Sequence, residues 1–469
     1  MFEGMLDIEK YIDILNEWIW SDVFIAFALL TGIYFTVSTR FVQLFHVRRM
    51  VKLLFSGKAS VKGVSSFQAF VLAISGRIGT GNIAGVATAI AMGGPGAVFW
   101  MWVIAILGAA TACVEATLGQ MFKVEKDGQY RGGPAFYIEQ GLHSKVYALI
   151  FSVVTIISCT FFLPAVQSNS IAVSMNHAFS LDTRIVGFVI AGLLGLIIFG
   201  GVKRIVKVAE VVVPFMAVGY IGMAAVIIGM NVTAIPSVFK LIFSSAFNLD
   251  ATFSGVFGMA IAWGVKRGIY SNEAGQGTAP HSAAAAEVKH PMEQGLVQAF
   301  SVYIDTLFVC TATALMILFT KSYNVVDPSG GFVVENVPGL IEGPAYTQIA
   351  IATYFPSMGA AFVSIALFFF VFTTLMAYYY MAETNLSYLT PRHTPKYMTQ
   401  ALRIVFLFIV IYGTYKESSF AWKLGDVGVE LMAWLNIVAL LLLRKIFMTS
   451  YRDYFRKYPT IRSMKEPKD

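Results

Sequence analysis

The sequence has few charged residues and very few cysteines. Charged residues make up 13% of its 469 residues, and the three cysteines, Cys113, Cys159 and Cys310, each lie in an apolar stretch. Neither a disulfide framework nor a zinc cluster is therefore predicted, and the six histidines show no metal-ligand spacing. No nucleophile and base constellation occurs either, so the sequence does not predict an enzyme.

What the sequence has in excess is apolar surface. Hydrophobic residues make up 57% of the chain, and the mean hydropathy is +0.69. Soluble domains cannot bury so much apolar surface, so we predict an all-α polytopic membrane protein whose partner is the lipid bilayer. In a membrane protein, the net charge of +7 has to be assigned to the two sides of the membrane, and it does not indicate nucleic-acid binding.

About eleven segments are long and apolar enough to cross the hydrocarbon layer. They are 18–39, 66–92, 97–122, 146–172, 184–201, 206–230, 252–284, 295–320, 346–386, 400–415 and 426–447. Two further segments, 40–63 and 234–248, mix apolar with basic or polar residues. They are typical either of amphipathic helices on the membrane surface or of plain loops.

The distribution of lysine and arginine predicts the orientation. If the N-terminus lies outside, 25 of the 34 basic residues fall in inside segments and 6 in outside segments. The remaining three, Arg77, Lys266 and Arg267, lie within spans. Because basic loops stay on the cytoplasmic side, we predict a multi-pass protein of the cell membrane with its N-terminus outside and its C-terminus in the cytoplasm.

One short motif occurs twice, 190 positions apart. Segments 77–85 (RIGTGNIAG) and 267–275 (RGIYSNEAG) share arginine, asparagine, alanine and glycine at the same spacing. A charge and a glycine-rich break are both costly within a lipid-buried helix. Their repetition therefore indicates a duplicated binding site, which is typical of secondary transporters.

The spans divide the chain around this motif. The two copies lie in the second and the seventh span, an offset of five, so the second copy is inserted upside down, as in an inverted repeat. We predict one extra N-terminal helix followed by a 5+5 inverted repeat with two broken helices. The corresponding divisions are 1–63 for the extra helix and an amphipathic cytoplasmic helix, 64–250 and 251–448 for the two repeats, and 449–469 for a basic cytoplasmic tail.

The first break has the groups needed to bind ions of both signs. Gly76, Gly79 and Gly81 weaken the helix by about 1 kcal/mol each, which favours an unwound stretch. Carbonyls freed from the first half-helix would face a cation, and N–H groups at the start of the second would face an anion. The alternative is a site where small residues let helices pack closely.

The second break is predicted within 262–277 and carries more charge. Lys266, Arg267 and Glu273 cannot face lipid, so they line a cavity, pair with one another or lie at the inner mouth. Trp263 is a candidate pocket wall that limits substrate size, or else a packing or lipid-facing residue. Asp305 is the ionisable residue nearest to the centre of a span, with no partner evident from the sequence.

Longer motifs resemble a known family. The run Gly93–Gly108 (GGPGAVFWMWVIAILG) resembles the signature of the alanine or glycine:cation symporters, and Gly132-Gly-Pro134 and 271–277 (SNEAGQG) extend the resemblance over nearly the whole chain. The resemblance implies sodium-driven uptake of alanine or glycine. It also implies the fold of the bacterial leucine transporter with one added helix.

The same resemblance suggests where sodium and substrate bind. It implies Na⁺, the transported coupling ion, on carbonyls near Ser75 and Ile78, on the hydroxyls of Thr373 and Thr374 and on the carbonyl of Phe370. The Thr pair is otherwise only two hydroxyls bonded back to their own helix. For the small neutral amino acid, the implied residues are Gly79, Thr80, Gly81, Asn82, Gln167, Ile261 and Trp263. Within this set, the Thr80 and Gly81 amides take the carboxylate, and carbonyls near Ser75 and Ile261 take the ammonium.

The role of Gln167 and the coupling ion remain open at this stage. Gln167 either adds a hydrogen bond to the substrate or only packs between helices. A proton-coupled amino-acid transporter of the same fold is the alternative function, although it would typically place a lysine amine where the Thr pair lies.

Overall fold

The computed structural model describes residues 2–56, 59–60, 62–390 and 392–460. The chain begins with four helices that precede the first predicted repeat. They are α1 (Phe2–Ile19), α2 (Asp22–Ser38), α3 (Val42–Phe45) and α4 (Val47–Leu54). The last two fall in the predicted amphipathic segment, so that segment is helical and not a plain loop.

The next part of the chain contains the first broken helix and a hairpin. Its helices are α5 (Ser66–Arg77), α6 (Val86–Gly93), α7 (Gly96–Met121), α8 (Pro134–Leu142), α9 (Lys145–Ile157), α10 (Leu163–Phe179), α11 (Thr183–Ile198), α12 (Val202–Met230) and α13 (Ile235–Ala246). Strands β1 (Val124–Lys126) and β2 (Gln129–Arg131) pair antiparallel. Asp127 and Gly128 join them, both with positive φ, as a tight hairpin turn requires.

The second half of the chain also consists of helices and one hairpin. Its helices are α14 (Phe257–Asn272), α15 (Ala279–Ala284), α16 (Pro291–Val302), α17 (Thr311–Thr320), α18 (Pro344–Ala352), α19 (Gly359–Leu389), α20 (Lys396–Gly413), α21 (Ser418–Leu442) and α22 (Arg444–Lys457). Strands β3 (Asn324–Val326) and β4 (Phe332–Glu335) form a second hairpin. Three π-helical stretches, Gly81–Gly85, Ser158–Phe162 and Tyr303–Cys310, continue into α6, α10 and α17.

The helices make this a multi-pass membrane protein. Within the described residues, eight helices are long and apolar enough to cross a membrane, and α5 with the Gly81–Gly93 helix adds one bent pair. Thr183–Ile198 and Val232–Ala246 are shorter apolar helices. The all-α membrane class is confirmed, whereas the count of eleven spans stays a prediction.

Two predicted boundaries are wrong. The segment 346–386 is not one span, because α18 ends at Ala352 and α19 begins at Gly359, with Pro356 in the turn between them. The predicted tail 449–469 begins inside α22, whose Phe447, Ser450 and Tyr454 are buried. Residues 461–469 of that tail lie outside the described residues. The segment 234–248 holds the helix α13.

The two broken helices lie at the centre of the bundle. Helix α7 packs along α14, α15 and α16, while α5 packs against α12 and α19. At the first break, Ser75, Arg77, Thr80 and Asn82 are all at most 2% exposed. Polar groups buried in this way must bind one another or a ligand, because water and lipid are both excluded.

Candidate functional site

The first break follows directly on Arg77. Helix α5 ends there, Ile78 is extended with ψ 94°, and the two half-helices meet at an angle of 54°. A Cβ placed on Gly79 would lie 2.6 Å from Thr374 Oγ1 and 3.0 Å from Gln167 Oε1. Glycine is therefore required here by close approach, and the alternative of a mere packing site does not explain the polar neighbours.

Side chains bind the first two backbone amides after the break, whereas one side-chain hydroxyl has no partner. The Gly79 amide donates to Asn82 Oδ1 at 2.8 Å, and the Thr80 amide donates to Gln167 Oε1 at 3.1 Å. Thr80 Oγ1 is buried without a hydrogen-bond partner among the described residues. The structure thus brings Gly79, Thr80, Asn82 and Gln167 together, with one hydroxyl left available for a ligand.

The Thr pair of α19 meets the same break. Thr374 Oγ1 lies 3.2 Å from the carbonyl oxygen of Ile78 and 3.0 Å from that of Phe370, and Thr373 Oγ1 lies 2.9 Å from the latter. Both threonines are fully buried. The contact with Ile78 crosses between helices, so the pair does more than bond back to its own helix. The result is a compact cluster of neutral oxygens, the ligand type that hard cations prefer.

Ser75 contributes to this region through its backbone and not through its hydroxyl. Its Oγ donates to the Leu72 carbonyl at 2.7 Å. The amide four residues further on, that of Gly79, donates to Asn82 and not back to the Ser75 carbonyl. That carbonyl therefore lacks the helical hydrogen bond expected within α5.

The second break begins later than the sequence indicates. Helix α14 runs without interruption to Asn272, and the turn comprises Glu273, Gly275 and Gly277, all with positive φ. The break thus lies within the predicted range 262–277, at its C-terminal end. Ile261 lies in the continuous helix and is partly buried, so its carbonyl is not freed by a break.

A buried glutamate holds the second break in place. Glu115 of α7 accepts hydrogen bonds from the amides of Gly275 and Gly277, at 3.3 and 3.1 Å, and from Asn436 Nδ2 at 2.9 Å. Backbone N–H groups that a helix would have satisfied thus find a carboxylate. The first break touches the last turn of α14, because a Cβ on Gly81 would lie 3.0 Å from Ser271 Cα and 3.3 Å from Tyr270 Cδ1.

The charges of the second motif pair with α21. Arg267 binds both carboxylate oxygens of Asp426, at 2.7 and 3.2 Å, and Lys266 Nζ lies 2.8 Å from the same group. Trp263 lies under both cations, 5.0 Å from Lys266 Nζ and 5.1 Å from the Arg267 guanidinium. Of the three predicted arrangements, cavity lining and ion pairing are found together, although the partner is Asp426 and not Glu273.

These residues line a cavity of about 720 Å³. Trp263, Lys266 and Arg267 form one wall, Trp422 and Asp426 another, and side chains of α1 a third. Thr80 and Gln167 are buried and do not line it. The ion pairs therefore lie beside the cavity, and Trp263 is a wall of this cavity and not a neighbour of Thr80.

The N-terminal helix is fastened beside this cavity. Asn16 donates to the Lys423 carbonyl at 2.9 Å, and Trp20 Nε1 donates to the Asp426 carbonyl at 3.2 Å. Asp13 forms an ion pair with Lys423 at 2.7 Å. The extra helix thus rests on α21 at the level of the Arg267 pair.

The other end of α19 is closed by the first hairpin. Arg131 of β2 binds Glu383 at 2.8 Å, and both side chains are at most 10% exposed. Lys126 of β1 donates to the carbonyls of Ser387 and Thr390. These contacts fasten the hairpin to the C-terminal end of α19.

Sequence reasoning missed several residues that the structure brings to the site. Tyr270 and Ser271 lie against Gly81, and Asp426 neutralises the second motif. An acidic residue at the start of an apolar span was the available signal for Asp426. Asp305 does have partners, namely Asn82 at 2.6 Å, Ser271 at 3.1 Å and Thr306 at 2.6 Å.

Comparison with protein families gives a match over residues 5–468 to the sodium:alanine symporter family. The chain belongs to this family. Its members are symporters and not enzymes, in agreement with the absence of catalytic motifs. The resemblance suggested by the Gly93–Gly108 run is thereby confirmed.

Two curated relatives of this sodium:alanine symporter family member cover most of its length. A sodium/proton-dependent alanine carrier protein of Bacillus sp. (strain PS3) is 51% identical over 86% of this chain and 91% of its own. A Bacillus subtilis protein named "Probable sodium/glutamine symporter GlnT" is 40% identical over 96% of this chain and 91% of its own. The named substrates thus differ between relatives.

A solved structure shows the same fold. The outward-open, substrate-bound state of a Na⁺-coupled sialic acid symporter aligns with a TM-score of 0.51, covering 92% of this chain and 87% of that one. Its sequence identity is 13%, so the likeness concerns the fold alone. The predicted transporter architecture with broken helices is confirmed.

Proposed function

We propose that this protein is a sodium-coupled symporter that imports either alanine or glycine by alternating access. The observation that carries this proposal is the contact of Thr374 Oγ1 with the Ile78 carbonyl, at 3.2 Å, directly beside the Thr80 amide. It joins a neutral oxygen cluster to a buried helix start, whose Thr80 amide is held by the Gln167 side chain. A cation and a carboxylate would lie next to each other there and offset each other's charge.

For sodium, we propose the carbonyls of Ser75, Ile78 and Phe370 and the hydroxyls of Thr373 and Thr374 as ligands. These five oxygens carry no full charge, so the site holds the ion without trapping it. In the described structure a hydroxyl, not an amine, faces Ile78. This favours sodium over the proton-coupled alternative at this position.

For the substrate, we propose that its carboxylate displaces Gln167 Oε1 from the Thr80 amide and binds there and at Gly81. Thr80 Oγ1, which lacks a partner, supplies a further hydrogen bond. Tyr270 and Ser271 then limit the space around Gly81, which favours small side chains. Ile261 stays a prediction that the continuous helix does not support, and Trp263 is assigned to the wall of the access cavity.

The orientation is part of the same proposal. We place the protein in the cell membrane with α1 and the 720 Å³ cavity outside and the β1–β2 hairpin in the cytoplasm. The 25 to 6 distribution of basic residues supports this placement. Arg267 and Asp426 then close the outer path, and Arg131 and Glu383 close the inner one. The divisions 64–250 and 251–448 are proposed as the inverted repeats.

Uptake by purified protein in proteoliposomes tests this function. We expect an inward sodium gradient, but not a potassium gradient, to drive accumulation of labelled alanine. Unlabelled glycine should compete, and glutamine serves as the comparison substrate because a relative bears that name. Uptake that is indifferent to sodium would reject the proposal.

The double variant Thr373→Ala, Thr374→Ala tests the ion site. It should abolish the sodium dependence of uptake, because two of the five oxygens are removed. Thr155→Ala is the matched control, since Thr155 is equally buried and its hydroxyl donates to the Phe151 carbonyl of its own helix at 2.9 Å. Unchanged sodium dependence in the double variant would disprove the assignment.

A further inference from the structure

Three buried carboxylates surround a single cation at the core of the two breaks. Glu115, Glu273 and Asp305 all act electrostatically on Arg77, and each is at most 1% exposed. None of the three forms an ion pair within the described residues. If all were ionised, this region would carry an excess of two negative charges away from water, which is strongly unfavourable.

Two of these carboxylates have the hydrogen bonds that an ionised group needs. Glu115 accepts from the amides of Gly275 and Gly277 and from Asn436. Asp305 accepts from Asn82, Ser271 and Thr306 at 2.6 to 3.2 Å. Three donors on each group stabilise its negative charge.

Glu273 differs from both in one oxygen, although the hydroxyls of Tyr378 and Thr278 also face its carboxyl group. Its Oε1 is buried without a hydrogen-bond partner in the described part of the chain. Arg77 also keeps Nε and Nη2 without partners, because its Nη1 is bound to the Gln298 carbonyl and to Ser301. An acid and a cation that attract each other are thus held apart, which costs more for an ionised Glu273 than for a neutral one.

The position of Glu273 links its charge to both breaks. It is the first residue of the second break, with φ 55°, and its Oε2 would lie 3.2 Å from a Cβ on Gly76 of α5. A change in the charge of Glu273 therefore acts on the contact between α5 and the turn that follows α14.

We propose that Glu273 binds a proton that is transported with alanine and sodium. This inference rests on the symporter function proposed above. The carboxylate takes up one proton from the side to which the site is open and releases it on the other side, returning to its ionised form. The printed name of the Bacillus sp. (strain PS3) relative, a sodium/proton-dependent carrier, is consistent with such a step.

Several groups around Glu273 influence this proton. Arg77 of α5 attracts the ionised form, and Asp305 of the α16–α17 span repels it. Tyr378 of α19 and Thr278 of the second break face the carboxylate with hydroxyls. Cys159 of the π-helical stretch before α10 and Tyr270 of α14 complete the titratable surroundings.

The test uses proteoliposomes that contain a pH-sensitive dye, with labelled alanine as the probe. With equal sodium on both sides, an inward proton gradient should drive alanine uptake and acidify the interior. With one proton per alanine, a gradient of one pH unit supports accumulation of up to about tenfold. Glu273→Gln, which keeps the neutral shape, should lose this response and retain exchange of labelled for unlabelled alanine.

Two comparisons keep the inference falsifiable. Glu335→Gln, on the exposed strand β4, should behave as the unchanged protein does. Glu293→Gln, which changes a buried acid of α16 that does not belong to the site, should keep the response to the proton gradient. Sodium-driven uptake by the unchanged protein without any response to the proton gradient would overturn the inference while leaving the symporter function intact. A proton response retained by Glu273→Gln would overturn it as well, whereas absence of sodium-driven uptake would reject the function itself.

Discussion

Asp426 accepts two hydrogen bonds from Arg267, at 2.7 and 3.2 Å, and thereby joins the second broken helix to α21. The same carboxylate also lies 2.8 Å from Lys266 Nζ. One acid therefore pairs with two buried cations beside the cavity of about 720 Å³. Planar, two-point contacts of this kind fix geometry more strictly than a single ion pair does.

Removing this acid should destabilise the protein strongly. Asp426→Asn leaves Lys266 and Arg267 adjacent and without the carboxylate that both contact, at a cost of about 3–5 kcal/mol. Thermal unfolding in detergent measures this loss. The matched control is Lys423→Gln on the same helix, because its pair with Asp13 is 41% and 45% exposed and should contribute less than about 1 kcal/mol. Equal losses of stability in both variants would show that Asp426 contributes no more than an exposed ion pair does.

Gly79→Ala should stop transport while the protein still folds. The new methyl group would lie 2.6 Å from Thr374 Oγ1 and 3.0 Å from Gln167 Oε1, so it separates the oxygen cluster from the Thr80 amide. We expect sodium-driven alanine uptake to fall by at least about tenfold, which corresponds to about 1.4 kcal/mol. Gly192→Ala is the control, because open space surrounds its position. Similar uptake by both variants would show that this contact is dispensable.

Breaking the Arg131 pair should open the hairpin end of the bundle. Glu383→Gln removes the acid that Arg131 binds at 2.8 Å and leaves a buried guanidinium unpaired. Labelling of a cysteine introduced at the buried Ser387 by an impermeant thiol reagent should then become faster. Lys62→Gln, which breaks an exposed pair with Glu125, should not change that rate. Faster labelling in the latter variant alone would contradict this closure.

Acid should loosen the contact between α16 and α22. Burial lowers the pKa of His290 below 6.5, despite its hydrogen bond with Asp453. The neutral imidazole is therefore the folded form, and its stabilisation is present above about pH 6.5 and is lost as the pH falls. Hydrogen bonds from Lys457, Arg456 and His290 lower the pKa of Asp453 and act in the same direction at lower pH.

Thermal unfolding at pH 7 and pH 5 measures this effect. His290→Asn keeps a side chain able to accept from the Met292 amide, as His290 does at 3.1 Å, but it cannot titrate. The variant should lose part of the difference in unfolding temperature between the two pH values. His393→Asn, at an exposed position, should retain the full difference. The reverse result would exclude His290 as the cause.

The sequence was informative where a local pattern determines the structure. The three glycines after Ser75 predicted the first break, and the Thr pair of α19 does meet Ile78. The second motif was misread because its residues match those of the first motif, although the two helices end at different places. Arg77 is the last residue of α5, whereas five helical residues follow Arg267 in α14. The roles of Ile261 and Trp263 depended on that reading.

Long-range partners were beyond local reasoning. Asp426 lies 159 residues from Arg267, and Glu115 lies 160 residues from Gly275. No spacing rule connects such positions, since the fold alone brings them together. The separation of α18 from α19 was missed for a simpler reason, namely that both helices and their short connection are apolar.

The contact of Trp20 with the Asp426 carbonyl joins positions 406 residues apart, so it bears on how the chain is assembled. During synthesis, Lys266 and Arg267 leave the ribosome well before the acid that neutralises them. Until α21 is made, this part of α14 carries two uncompensated positive charges and resists stable insertion into lipid. We therefore expect the packing of α14 against α21 to be among the last events of biogenesis, and C-terminal truncation upstream of Asp426 should leave a chain that quality-control proteases recognise.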